Sequence, residues 1–219
     1  MGQAVGIFIC DVMGHGVRSA FVTAMLRALV EEMHSLGGNP GELLTRVNEE
    51  LMRILKPMDN PLYATAFYLV ADAASREIRF AKAGHPNPLL LRRTTGEIRT
   101  LKCAREAQGP ALGLVSGARY QTCDCPLEPH DLILLFTDGI YEVFDAADKE
   151  FGLEKLAVIL KELGDRSLDA MLDGLVGEAR RHAATHDFDD DVCLIALEAV
   201  MMPVKEPLDH GIPQPHLLG

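Results

Sequence analysis

The sequence has no run of about 18 consecutive apolar residues, the length that a membrane-spanning helix needs. Its N-terminus also lacks a basic segment followed by an apolar stretch and a small-residue cleavage site, the pattern of a secretory signal. We therefore expect neither membrane insertion nor export, and we predict a cytoplasmic protein.

Basic residues are in the minority: 21 Lys and Arg stand against 32 Asp and Glu, which gives a formal net charge of -11. An acidic surface repels both nucleic acid and anionic lipid, so neither is an expected partner. A phosphorylated substrate would be repelled in the same way unless bound cations reversed the local field.

Several motifs of other enzyme classes are absent. No Cys is followed by Arg at the C-x5-R spacing of thiolate phosphatases, and the sequence has neither a G-x-S-x-G elbow nor a G-x-x-x-x-G-K-[ST] loop. The five cysteines form an odd set without a C-x-x-C pair, which favours reduced structural thiols. Cys123 and Cys125 have the spacing to share one face of a strand, but no nearby Cys or His would complete a soft-metal site.

With 219 residues, of which 48% are hydrophobic, the chain is typical of one globular domain with a substantial core. The pattern predicts a strand at 5–10 and helices at 17–36 and 40–55. Strand-like runs then follow at 63–70, 76–82, 89–93, 120–125 and 132–136. Helices at 152–163 and 168–184 and a strand at 192–197 complete the order, and we expect the proline-containing residues 201–219 to form a flexible tail.

The run at 63–70 is apolar on both faces, because Phe67 and Leu69 lie on one face and Tyr68 and Val70 on the other. Such a strand must be covered on both sides. The sequence therefore predicts an α+β fold in which two packed, mainly antiparallel sheets have helices on the outside.

Aspartates occur at three predicted strand ends. Asp11 follows the first strand, Asp138 follows the strand at 132–136, and Asp190 and Asp191 lead directly into the last strand. If these strands are neighbours, their carboxylates converge at one rim, where repulsion would be costly without divalent cations. Oxygen ligands favour Mg²⁺ or Mn²⁺ over zinc. Each site taken alone is also ordinary turn chemistry or a solvated acidic run.

Five strings of residues occur in the order seen in SpoIIE-type phosphatases of the PPM family. They are Cys10-Asp11-Val12-Met13-Gly14-His15-Gly16, Ala83-Gly84-His85-Pro86, Phe136-Thr137-Asp138-Gly139, Phe151-Gly152 and Asp190-Asp191-Val192. Residues 1–200 thus resemble a SpoIIE-type domain. The resemblance implies a four-layer α-β-β-α sandwich that hydrolyses phosphoserine or phosphothreonine in proteins by direct attack of a metal-bridging water.

The resemblance also implies a site with two Mn²⁺ or Mg²⁺ ions. Asp11 would bridge both ions, the Val12 carbonyl would add a ligand, and Asp138 with Asp190 would complete one site, with Asp191 as the alternative to Asp190. The backbone of Gly14, His15 and Gly16 opens a helix and could bind phosphate. The His15 side chain could donate a proton to the leaving group, or it could hold the turn by hydrogen bonding.

Similar bacterial domains often dephosphorylate a small anti-sigma-factor antagonist and are often fused to sensory domains. The resemblance therefore implies a phosphorylated protein of this kind as the substrate and is consistent with sensory domains upstream, and a homodimer of this chain is a further expectation. Three departures from the family pattern stand out. The family places a Gly-Gly-Asp strand before the Asp11 strand, and we expect the domain to lack this first strand. Pro129-His130-Asp131 replaces the usual Pro-Gly-Asp, which should change a turn rather than the chemistry. Asp189 adds a further acidic residue to the last run.

The expected lack of the first strand supports an alternative function. In this alternative the chain is a catalytically silent domain of the same fold that binds a partner or dimerises.

Other candidate residues have simpler interpretations. His182 and His186 are spaced to share a helix face and could bind a transition metal, but histidines at a helix end explain the pair more simply. We interpret His85 as a loop anchor. Glu142 and Asp145 could border the substrate entrance, although a solvated loop is the stronger hypothesis.

Overall fold

The computed structural model describes residues 4–55, 62–103, 109–185 and 187–200. Strands and helices alternate in blocks along this part of the chain. In order they are β1 (Ala4–Val12), α1 (Val17–Glu32), α2 (Pro40–Leu55), β2 (Ala64–Asp72), β3 (Glu77–Ala83), β4 (Leu89–Arg92), β5 (Glu97–Thr100), β6 (Cys123–Pro126), β7 (Asp131–Phe136), α3 (Gly152–Leu163), α4 (Leu168–His182) and β8 (Leu194–Glu198). Short 3-10 turns lie at His34–Leu36 and Asp138–Ile140.

The strands form two four-stranded sheets, with the orders β1-β2-β3-β6 and β5-β4-β7-β8. Every neighbouring pair in both sheets is antiparallel. In the first sheet β1 lies at one edge, and in the second sheet β7 lies between β4 and β8. The strand that carries Asp11 and the strand that precedes Asp138 therefore belong to different sheets.

Three hydrophobic clusters account for the layers. One cluster packs α1 and α2 on the first sheet through side chains such as Leu26, Leu44 and Ala66. A second packs α3 and α4 on the other sheet through Leu160, Leu175 and Leu134. The third lies between the sheets, where residues that alternate with those of the outer clusters meet, including Ile9, Phe67 and Leu135. The fold is the α-β-β-α sandwich predicted from the sequence.

The boundaries of most predicted helices and strands lie within two residues of the observed boundaries. Two differences are informative. The strand β5 was not predicted, because its alternation of charged and uncharged residues is short and its side chains are exposed or half-buried. In α1 the helical spacing of Phe21, Met25, Leu29 and Met33 predicts a buried stripe, but the observed buried face is rotated from it. Leu29 is buried as expected, whereas Phe21 is 61% exposed and Val22 and Leu26 face the core instead. Apolar residues occur all around this helix, so its sequence marks the buried face only weakly.

The thiol prediction was wrong for two of the five cysteines. Cys103 and Cys123 form a disulfide, and their Cα atoms are 5.8 Å apart. These residues are 20 positions apart in sequence, so only the fold brings them together. Cys10, Cys125 and Cys193 are free. The disulfide also removes Cys123 from any shared metal site with Cys125.

His130 lies in the Pro129-His130-Asp131 turn, at the position where the family pattern has glycine. His130 adopts a φ of 65°, in the left-handed region that favours glycine, and the turn still leads directly into β7. No helix in the described ranges is long and apolar enough to cross a lipid bilayer. The predicted tail at 201–219 lies outside the described residues.

Candidate active site

Asp11 lies near the end of β1 and extends the inward face of that strand. Ile9 packs between the sheets, whereas Cys10 and Val12 pack toward the helices, so the alternation turns the Asp11 side chain toward the second sheet. Its cross-strand partner on β2 is Thr65, which points to the same side. The end of this sheet thus carries a carboxylate and a hydroxyl side by side.

The backbone carbonyl of Val12 points away from β2. Met13 N–H donates to the Tyr63 carbonyl at 3.0 Å, which makes positions 13 and 63 a hydrogen-bonded pair. In an antiparallel ladder these pairs alternate with pairs that exchange no bonds, and Val12 with Ala64 is the next pair along. Because β1 lies at the sheet edge, the Val12 carbonyl is left available to a ligand.

The Thr137-Asp138-Gly139 string holds the last acidic run against the end of β7. The Thr137 hydroxyl donates to the Asp191 carbonyl at 3.0 Å and accepts from the Cys193 N–H at 2.9 Å. The backbone N–H of Thr137 also donates to the Cys193 carbonyl at 3.1 Å. This buried threonine therefore fixes the position of the acidic run relative to Asp138.

Gly139 allows the two acidic segments to approach closely. A Cβ atom at this position would lie 2.7 Å from the Asp191 carbonyl oxygen and 3.2 Å from that of Asp190. These are backbone atoms that cannot rotate away. Only glycine permits Asp138 and the acidic run to lie this close together.

All of the carboxylates predicted to bind metal line one open cavity of about 950 Å³. Its lining includes Asp11, Val12, Gly14, His15, Asp138, Asp190 and Asp191. Asp189 and Glu142 line it as well. A smaller adjoining cavity of about 370 Å³ shares several of these residues and adds Gly16. The structure thus brings together residues from positions 11 to 191 at one end of the sandwich.

The cavity has a strongly negative field. The pKa of Asp11 is raised above its usual value, first by burial and then by the charges of Asp138, Asp190 and Asp191. Burial likewise raises the pKa of Glu142, and Asp138, Glu150 and Asp190 add to the effect. A divalent cation would relieve both the repulsion and the desolvation, and the oxygen donors fit Mg²⁺ or Mn²⁺. As the side chains now stand, no three His, Cys, Asp or Glu groups of the described residues converge closely enough to enclose an ion.

The turn after β1 leads from the carboxylates to the start of α1. Gly14 and Gly16 have φ values of 80° and 92°, which glycine adopts without strain. No side chain among the residues that the structure describes caps the start of α1, so its first-turn amides are available to an anion. His15 is exposed, lines both cavities and makes no hydrogen bond to another described residue. The hypothesis that it holds the turn by hydrogen bonding has no contact in its favour.

Other residues from the sequence lie elsewhere. The Asp145 carboxylate accepts the N–H groups of Ala147 and Lys149 and so closes its own turn. The His182 ring contacts the Lys149 carbonyl at 2.8 Å and the Lys155 side chain at 3.1 Å, away from the cavity. Its proposed partner, His186, falls outside the described residues.

Sequence reasoning did not assign functions to Thr65, Thr137 or Gly139. Thr137 and Gly139 belong to the motif around Asp138, yet their contacts with the acidic run span more than fifty positions. Thr65 is one of several uncharged residues in an apolar strand. Only the register with Asp11 would have identified it.

Comparison with known proteins identifies the family. The sequence profile for stage II sporulation protein E (SpoIIE) matches residues 1–200. The chain belongs to the SpoIIE family. The match confirms the resemblance drawn from the five motif strings, and the sandwich agrees with it.

This SpoIIE-family chain is 26% identical over 194 residues to RsbP of Bacillus subtilis, whose name describes a phosphoserine phosphatase; the match covers 88% of the chain and 45% of RsbP. It is 27% identical to a solved structure of the RsbU and RsbW domains of a Mycobacterium tuberculosis protein, with a TM-score of 0.74, covering 93% of this chain and 55% of that one. The SiaA-PP2C domain of Pseudomonas aeruginosa shares the fold at 21% identity, with a TM-score of 0.72 and coverage of 90% and 80%. The SpoIIE-family chain spans less than half the length of RsbP.

Proposed function

We propose that this SpoIIE-family chain is a metal-dependent protein phosphatase that hydrolyses phosphoserine or phosphothreonine. The observation that carries the proposal is the convergence of Asp11, Asp138, Asp190 and Asp191 on one open cavity beside the uncapped start of α1. Carboxylates in that number repel a phosphate on their own, and they become a phosphate site when divalent cations neutralise them.

Two Mn²⁺ or Mg²⁺ ions, once bound, would activate a water for direct attack on phosphorus and offset the negative charge of the phosphoryl oxygens. Asp11 is the residue proposed to ligate both ions, because it shares the cavity with Asp138, Asp190 and Asp191 and their charges act on it. The Val12 carbonyl, Asp138 and Asp190 are the other proposed ligands. Asp191 stays the alternative to Asp190, since both lie beside Gly139.

The chain's own groups would orient the phosphoryl group and assist its leaving group. The first-turn amides of α1 and the backbone N–H groups of Gly14, His15 and Gly16 would donate hydrogen bonds to the phosphoryl oxygens. His15 is the candidate to protonate the leaving serine or threonine oxygen, because it lines the cavity and makes no hydrogen bond to another residue in the described part of the chain.

The rival function is a catalytically silent domain of this fold that binds a partner or dimerises. We expect Mn²⁺-dependent release of phosphate from a phosphoserine protein by the wild-type chain, and loss of that release in Asp138→Asn. Asp173→Asn is the matched control, because Asp173 is exposed on α4 and contributes to neither cavity. Equal background rates in the wild type and Asp138→Asn would favour the silent domain.

A second measurement separates metal binding from catalysis. Calorimetric titration of Mn²⁺ into the wild-type protein should detect binding that Asp138→Asn weakens and Asp173→Asn leaves unchanged. Metal binding without hydrolysis would indicate a site that is built but inactive.

The partner is proposed at the level of class. A phosphorylated regulatory protein such as an anti-sigma-factor antagonist is the proposed substrate, and sensory domains upstream and a homodimer stay predictions. A cytoplasmic location also stays a prediction from the sequence. The Cys103–Cys123 disulfide would be unusual in a reducing compartment.

A further inference from the structure

His85 lies behind the wall of the cavity, where the two sheets meet. It follows β3 and Gly84, whose φ of 70° lies in the left-handed region that favours glycine, and it precedes Pro86. The residue is 1% exposed. Its Nδ1 atom lies 2.9 Å from the Thr65 hydroxyl oxygen. The ring is therefore a buried polar group attached to a residue that lines the cavity.

The second ring nitrogen has no fully formed hydrogen bond. His85 Nε2 is buried and reaches no partner of good geometry among the described residues. The backbone of Phe136 nevertheless interacts with the ring and favours its protonated form, as a carbonyl acceptor does. Because Nδ1 is engaged with Thr65, we assign the Phe136 carbonyl to Nε2 as a long contact.

These two neighbours connect the ring with both sheets. Thr65 lies on β2 opposite Asp11, and Phe136 ends β7 two residues before Asp138. One imidazole thus contacts the immediate surroundings of both carboxylates without touching either of them.

The surroundings also select a tautomer. A neutral ring carries one N–H, so one nitrogen donates and the other accepts. A proton on Nδ1 would leave the Nε2 lone pair buried beside a carbonyl oxygen with no donor, which is costly. A proton on Nε2 faces the Phe136 carbonyl and leaves Nδ1 to accept from the Thr65 hydroxyl.

We propose that His85 is a positioning residue whose Nε2-protonated ring takes the hydroxyl proton of Thr65, so that Thr65 presents its oxygen lone pairs to the cavity beside Asp11. Thr65 then acts only as an acceptor toward groups in the cavity. The catalytic consequence rests on the proposed phosphatase function, whereas the tautomer and the Thr65 contact do not.

The first test needs no activity. In ¹⁵N-labelled protein, long-range proton–nitrogen NMR correlations distinguish a protonated from an unprotonated ring nitrogen. We expect His85 to show a protonated Nε2 and an unprotonated Nδ1, and Thr65→Val to shift the Nδ1 resonance, while Thr65→Ser restores it. A proton on Nδ1, or no response to Thr65→Val, would overturn the proposal whether or not the protein is a phosphatase.

The second test uses paired variants of His85 in the Mn²⁺-dependent reaction. His85→Asn can place an amide oxygen at the Nδ1 position and should retain most of the activity. His85→Gln places its amide nearer the Nε2 position and should lower kcat about 10-fold with KM unchanged, the typical scale for residues that orient a site from behind. Thr65→Val should lower kcat to a similar extent and should add little to His85→Gln.

The results of these tests distinguish a failure of the positioning role of His85 from a failure of the proposed phosphatase function. Equal loss in the Asn and Gln variants, or independent effects of Thr65→Val and His85→Gln, would contradict a positioning role. Thr65→Val tests this role by itself if a His85 variant fails to fold. An inactive wild type with the expected tautomer would contradict the phosphatase function and leave the Thr65–His85 pair intact.

Discussion

Substituting His85 should change how the stability of the protein depends on pH. Burial, opposed by the Phe136 backbone and assisted by Lys82, lowers the pKa of His85 from 6.5 to about 4. The native ring thus stays neutral at pH values where the ring of the unfolded chain becomes protonated. Below about pH 6.5 the unfolded state binds a proton that the native state does not, so stability falls as the pH falls toward 4.

The size of this effect follows from the pKa difference. Each pKa unit corresponds to about 1.4 kcal/mol, so His85 alone should remove about 3 kcal/mol of the free energy of unfolding between pH 6.5 and 4. Asp11 and Glu142 have raised pKa values and contribute with the opposite sign. Asp11 and Glu142 are present in both the wild type and His85→Asn, so their contributions cancel. The difference in the free energy of unfolding between these two proteins therefore reports on His85 alone.

The assay is urea unfolding at pH 7, 5.5 and 4.5, in the presence of a chelator, followed by far-ultraviolet circular dichroism because the chain has no tryptophan. At pH 7 the wild type should be the more stable of the two, because His85→Asn keeps an acceptor for Thr65 but leaves part of the buried ring volume unfilled. We expect this advantage to shrink or reverse toward pH 4.5. A difference that stays constant within about 0.5 kcal/mol would refute a neutral buried ring.

Three further substitutions test the packing around the site and in the core. Gly139→Ala should destabilise the fold and abolish Mn²⁺ binding, because the added Cβ would meet two carbonyl oxygens. The control Gly177→Ala, where an added Cβ has nothing within 4 Å, should stabilise α4 by about 0.5–1 kcal/mol. Equal melting temperatures for Gly139→Ala and the wild type would argue against the close approach at Gly139. Thr137→Val should cost about 1–3 kcal/mol by leaving backbone groups of Asp191 and Cys193 unpaired, and Thr137→Ser should restore most of it. Leu134→Ala, in the fully buried centre of β7, should cost about 2–5 kcal/mol in urea unfolding, against less than about 0.5 for Val158→Ala at a site 56% exposed.

The layers of the fold could be predicted from the sequence because the buried strands lack a polar face. The β2 run has apolar residues on both sides, and the structure buries one side under helices and the other against the second sheet. By contrast, β5 is short and its residues are not fully buried, so its hydrophobic pattern is weak. The rotation of α1 was missed for a related reason, since apolar residues on its exposed face hide the buried stripe.

The acidic residues of the site were predictable because each one stands at the end of a recognisable strand. Their supporting contacts were not, because these contacts join segments far apart in sequence. Thr137 binds the backbone of Asp191, and His85, which follows β3, contacts Thr65 on β2 from 20 positions away in the sequence. The disulfide between Cys103 and Cys123 was missed for the same reason.

The packing of the two sheets has a consequence for how the protein tolerates change. Asp11 is carried by one sheet, and Asp138 and Asp190 are held at the end of the other, so the spacing of the acidic groups depends on the middle layer formed by side chains such as Ile9, Phe67 and Leu135. A volume change in that layer would slide one half of the molecule against the other and alter the distances between carboxylates. A similar volume change between one sheet and its own pair of helices would loosen the packing of that sheet and its helices alone. The alignment of the two sheets with each other would stay largely intact.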